Sequence, residues 1–198
     1  MIYDRLNVSS GHQVINKVSI SGQYRLSALT GNALFTDLND TTERRVQRHQ
    51  GDVAIRYIFA LDWFWVKASA RLSVANEKEP LLPSATLRME YIRGASRGRS
   101  LQIRPYLYTA YSGRYPSFNE LYYFGYGNPE LPPEKRWQLS GGFAISGKHP
   151  DRLTFRTSVY HTRTIDRIIA VPLSPVRWST RSFGLTKTTG AEIALDYT

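Results

Sequence analysis

The chain has 198 residues and no cysteine, so a disulfide framework and a thiolate metal site are both excluded. Hydrophobic residues make up 41% and the formal net charge is +10, a balance that suits nucleic acid, an anionic membrane surface or an acidic ligand without choosing among them. No apolar run reaches the roughly 18 residues a membrane-spanning helix needs, and the opening MIYDRLNVSSGHQ lacks the basic and apolar regions of a secretory signal.

In chain order, residues 14–28 put Val14, Val18, Ile20, Tyr24 and Leu26 at even positions and Lys17, Ser19, Gln23 and Arg25 at odd ones. This period of two predicts a long strand. A weaker strand follows at 31–38. Residues 53–61 alternate Val53, Ile55, Tyr57 and Phe59 with Asp52, Arg56 and Ile58, and residues 64–74 alternate Phe64, Val66 and Leu72 with Lys67, Ser69 and Arg71. The pattern returns at 85–91, less cleanly at 101–112, then at 137–146, 153–160 and 191–197. That makes nine strands, and no helical period competes with them.

Short links are expected near 29–31, 61–62, 93–99 and 147–151, and long ones at 39–49, 75–83, 113–134 and 164–177. Short and long alternate. The expected fold is therefore all-β: an antiparallel up-and-down meander of about nine long strands, part of a large transmembrane β-barrel with short turns at one end and long loops at the other. Several strands match the roughly 9 to 11 tilted residues that cross a bilayer, where sandwich strands average about 5 to 6. One face carries Val, Leu, Ile, Ala and Phe, with Tyr57, Tyr91, Trp137 and Tyr197 towards strand ends, where aromatic girdles belong. The other carries Arg56, Arg71, Arg88, Glu90, Arg156 and Glu192, which a barrel turns towards a water-filled lumen. A soluble curved sheet with one polar face also satisfies the period.

The segment GRYPSFNELYYFGYGNPELPPE, residues 113–134, is crowded with aromatic rings. With the strand after it, it resembles the TonB-dependent outer-membrane receptors, whose barrels carry Arg-x-Pro-Ser-x-x-x-Leu-Tyr and then Gly-Asn-Pro-x-Leu-x-Pro-Glu. Arg114, Pro116, Ser117, Glu120, Leu121, Tyr122, Gly127, Asn128, Pro129, Leu131, Pro133 and Glu134 match in order and spacing. The likeness continues through LTFRTSVYHTRTIDRIIAVP to TTGAEIALDY, so that residues 113–197 match closely and 1–112 match as barrel pattern alone.

The resemblance implies an outer-membrane barrel closed around an N-terminal plug. Such a barrel imports a scarce ligand of the iron-siderophore, haem or cobalamin class with energy relayed by TonB. Its partners are then the outer-membrane bilayer, a small molecule such as a metal chelate, and TonB through the plug. Nucleic acid, a resident cofactor and a metal site are not expected. Residues 1–198 are expected to be part of that barrel without the plug, a section of a circle of roughly 22 strands, because an odd count does not close a single-chain bacterial barrel. Arg114, Tyr122, Tyr123, Phe124, Tyr126 and Asn128 are the expected ligand contacts: rings give contact area at low entropy cost, and an arginine meets an anionic group. Equally, the prolines and glycines of this loop could stiffen it while the rings pack on each other, with Asn128 and Pro129 as turn formers. The histidine that haem receptors of the family commonly place between these two motifs has no counterpart between Pro116 and Asn128. Two rivals stand beside transport, an outer-membrane barrel hydrolase and a soluble basic β-sheet that binds nucleic acid. No HExxH, GxSxG or Walker motif supports catalysis, and the expectation is that the chain is not an enzyme.

Overall fold

The computed structural model describes residues 2–4, 14–31, 44–92, 101–123, 125–147, 153–175 and 177–197. Its strands are β1 (Ile2–Asp4), β2 (Ile15–Gly31), β3 (Arg44–Leu61), β4 (Phe64–Ala75), β5 (Leu81–Tyr91), β6 (Leu101–Arg114), β7 (Glu134–Gly147), β8 (Leu153–Ser174) and β9 (Arg177–Tyr197), with one short helix, α1 (Phe118–Tyr122). They form a single antiparallel sheet in sequence order. Every described strand therefore pairs with its chain neighbours, the topology of a meander.

The register explains the two faces. One row runs Val18, Tyr57, Ala68, Leu87, Thr109, Leu139, His161, Thr189 across β2 to β9. The next residues along make the row Lys17, Ile58, Lys67, Arg88, Tyr108, Ser140, Tyr160, Gly190 on the other side. Because side chains alternate strictly, one register holds every apolar set on one face. Among the described residues nothing packs on that face: Ile20 and Ile193 are 75% exposed, Val53 63% and Val159 61%. The only buried apolar clusters among the described residues are Ala75, Leu82, Tyr115 and Leu121, Leu131, Ile168, both at the loop end. A single sheet with a bare apolar face and no second layer is not a water-soluble sandwich, since soluble monomers rarely expose more than a few hundred Å² of contiguous apolar surface.

The structure corrects several boundaries. Leu29, Thr30 and Gly31, expected as a turn, continue β2 and pair with Val46, Arg45 and Arg44. The strand expected at 31–38 lies outside the described residues apart from Gly31, and β2 pairs directly with β3. The ninth strand is instead the three-residue β1. Three of the expected long loops shrink: residues 44–49 belong to β3, 81–83 to β5 and 164–174 to β8, while β9 begins at 177 rather than 191. The reason is physical. A period of two requires one wet and one dry face, and where a hairpin rises beyond the apolar band its inward face is covered only in places, as Leu82 is by Tyr115 and Ile168 by Leu121, so the alternation disappears while the ladder continues.

Candidate functional site

Two features mark the polar face, a docked loop and a concavity. The loop is the connection 115–133 between β6 and β7. Ser117 caps α1: its Oγ accepts from Glu120 N at 3.3 Å, and the Glu120 carboxylate accepts from Ser117 N at 2.7 Å, a reciprocal capping box. Arg114 then clamps the same carboxylate with two bonds, Nη1 to Oε2 at 2.9 Å and Nη2 to Oε1 at 3.2 Å, and reaches Glu134 Oε2 at 3.2 Å. Burial pushes the Glu120 carboxyl up, but the Arg114 guanidinium and the Ser117 N–H outweigh it and hold it below the ordinary carboxylate value.

This arrangement docks the loop on β8 and β9 where β7 no longer covers them. Pairing of β7 with β8 starts at Lys135 and Ile165, so the β8 residues beyond have lost that neighbour. Glu134 Oε2 accepts from the Ile168 N–H at 3.3 Å, and the Ile168 side chain packs with Leu121 and Leu131. Thr180 of β9 is the hub. Its Oγ1 lies 2.8 Å from Glu120 O and 3.1 Å from Tyr126 O, its N–H donates to Tyr126 O at 2.8 Å, and its own carbonyl accepts from Asn128 Nδ2 at 3.4 Å. Asn128 N further donates to Glu120 O at 2.8 Å, and Asn128 Oδ1 accepts from Glu130 N at 3.0 Å. From the far side Arg48 of β3 donates to Pro116 O at 2.7 Å and to Glu77 at 2.5 Å, with its guanidinium over the rings of Phe118 and Tyr115.

The expected contact residues thus divide. Arg114 and Asn128 hold the loop together. Tyr122 is half-buried against Leu121, Leu131 and Ile168, and burial raises its phenol. Tyr123 is 63% exposed and stands edge-on to Tyr126, ring centroids 6.2 Å apart. Phe124 lies outside the described residues. Thr180, Ile168 and Arg48 were not singled out by the sequence. They are ordinary residue types far along the chain, and only the register of β8 on β9 and the length of β3 bring them to the loop.

At the opposite, short-turn end of the polar face lies a concavity of about 400 Å³, lined by Arg88, Glu90, Arg104, Tyr106, Arg156 and Glu192 among others. Arg88 sits over Trp65 and Tyr106 at 5.4 and 5.1 Å and bonds Glu90 at 3.2 Å, and Arg156 pairs with Asp196. Arg104 Nε is buried and has no hydrogen-bond partner among the described residues. Arg56 and Arg71, cross-strand partners of Ser69 and Ser84, lie on this same face in β3 and β4. Among the described residues no group of three or more His, Asp or Glu could hold a metal ion.

The family model for the TonB-dependent receptor-like β-barrel matches residues 82–198, more than half of the chain. The chain belongs to the TonB-dependent receptor β-barrel family. A search of the curated proteins finds no significant match. The matched span of this receptor barrel contains β6 to β9, the docked loop and the concavity. The family is one of outer-membrane receptors and transporters, and the bare apolar face is the surface such a barrel turns to lipid.

Proposed function

We propose that the chain forms part of the wall and ligand-facing rim of an outer-membrane transporter that imports a scarce ligand of the iron-siderophore, haem or cobalamin class. TonB energises it through a plug domain seated against the polar face, which lines the lumen with Arg56, Arg71, Arg88, Glu90, Arg156 and Glu192. The observation that carries the reading is the ring pair of exposed Tyr123 and half-buried Tyr126, carried by a loop that Arg114, Asn128 and Thr180 fasten by hydrogen bonds to the polar face. Two flat rings fixed in position offer a planar or chelated ligand contact area without an ordering cost at binding. The lack of a histidine between Pro116 and Asn128 favours a ferric chelate over haem, and the basic lumen supports an anionic cargo.

The test uses a strain deleted for the receptor and carrying either the wild type or the Tyr123→Ala/Tyr126→Ala double variant. Uptake of a ferric hydroxamate, a ferric catecholate, haemin and cobalamin is measured with and without TonB. One of the four is expected to enter only with TonB and wild-type receptor, with the double variant raising the half-saturating concentration at least tenfold. Uptake of none, or equal uptake by the double variant, overturns the reading.

A further inference from the structure

The outward face of β7, β8 and β9 ends, towards the loops, in a row that repels itself. Trp137, Arg163 and Lys187 are direct cross-strand partners. They lie on the face that carries Leu139, Val159 and Ile193 lower down. Arg163 and Lys187 are both exposed, and neither makes an ion pair or side-chain hydrogen bond with any described residue. Arg167 and Arg181 follow on the same face of the hairpin, and no outward position of the three strands carries Asp or Glu. Like charges directly opposite each other in an antiparallel pair destabilise it, so this row needs a counter-charge from outside the chain.

Its height says which one. On β8 the outward side chains are Leu153, Phe155, Thr157 and Val159, then His161 and Arg163. Ten residues from Leu153, at about 3.3 Å each and a tilt of about 40°, put Arg163 roughly 25 Å above the short-turn end, the height of the apolar band of an outer-membrane barrel. Trp137 at the same level is the interfacial indole expected there, and His161 beside it, edge-on to that ring, bonds Thr189 rather than an acid. We propose that Arg163 and Lys187, with Trp137 beside Arg163 in the same row, seat phosphate groups of lipid headgroups in the outward-facing leaflet. The guanidinium fork meets phosphate oxygens in two bonds and the ammonium adds a point charge, so the repulsion within the row becomes shared attraction to one anion. This site rests on the membrane reading above.

The receptor is purified in a neutral detergent and titrated with bisphosphorylated lipid A, with binding counted by native mass spectrometry. Arg163→Gln/Lys187→Gln is expected to bind roughly ten- to thirtyfold more weakly, since each cation near an anionic lipid surface contributes up to about fivefold in affinity. Arg136→Gln, a charge removed from the opposite face of β7, should bind as the wild type does. Equal affinity of the double variant overturns the proposal, and so does displacement of lipid A by millimolar inorganic phosphate, which would make the row a free-phosphate site. The same preparations are reconstituted into vesicles. Insertion of wild type and variant alike with unchanged lipid affinity defeats the headgroup site alone, whereas failure of the wild type to insert defeats the membrane reading and this site with it.

Discussion

Thr180→Val exchanges one hydroxyl for a methyl of nearly the same volume at a side chain that is 1% exposed. The hydroxyl has a single proton to share between Glu120 O and Tyr126 O. Removing it orphans neither carbonyl, because Glu120 O still accepts from Asn128 N and Tyr126 O still accepts from Thr180 N. The loss is therefore one net hydrogen bond without a desolvation penalty, about 1 kcal/mol. Local opening of the loop should become about fivefold more frequent, and native-state amide exchange at Gly127 and Asn128, whose N–H groups bond Tyr123 O and Glu120 O, reads that frequency directly. Thr162→Val is the matched control: Thr162 is also buried on the polar face, but its Oγ1 has no partner, so valine there should leave exchange unchanged. If Thr180→Val exchanges like the control, the Thr180 hydroxyl is not holding the loop, and the apolar cluster of Leu121, Leu131 and Ile168 with the remaining hydrogen bonds suffices.

Gly127→Ala should release the loop more completely, because a Cβ there would lie 2.6 Å from Tyr122 N and 2.7 Å from Leu121 O, backbone atoms that cannot step aside; exchange protection across 117–128 is expected to be lost, and its retention would show that the loop can shift as a body. The Glu120 carboxyl is lowered in the folded protein, so the stability it contributes is complete above its ordinary value of 4.5 and is lost as pH falls below that value through the lowered one. Tyrosine fluorescence anisotropy of the loop should therefore drop on acidification in the wild type and stay flat in Glu120→Gln; an identical profile in both would locate the transition elsewhere. Ile193→Arg, in the middle of the outward apolar face of β9, should cost about 2–4 kcal/mol of membrane-inserted stability, measured by urea unfolding from vesicles, and a cost near zero would mean that this face does not meet lipid.

Much of the barrel was legible in the residues. Alternation in 14–28, 53–61 and 64–74 specifies strands because a sheet between lipid and water must be dry on one side and wet on the other, and strict two-residue periodicity transmits that boundary into sequence. The motifs around Arg114 and Asn128 marked where the docked loop lies, and their order carried the family. What the sequence did not contain is the division of labour within that loop. Arg114 reads as a free contact because its bidentate partner Glu120, six residues on, faces it only once α1 has formed, and Asn128 because Thr180 stands 52 residues away; the stagger of β7 against β8 leaves the gap into which α1 falls. Tyr122 and Tyr123, neighbours in sequence, part company for the same reason: α1 turns the first towards Ile168 and leaves the second in water. The upper halves of β8 and β9 were equally invisible, since their outward face carries Arg163, Arg167 and Arg181 while their inward face is covered by the docked loop at Ile168 and Thr180, and that combination imposes no apolar–polar alternation. Local polarity is written residue by residue, whereas registration between strands and the docking of a loop across them are properties of pairs distant in the chain, and only the folded sheet decides them.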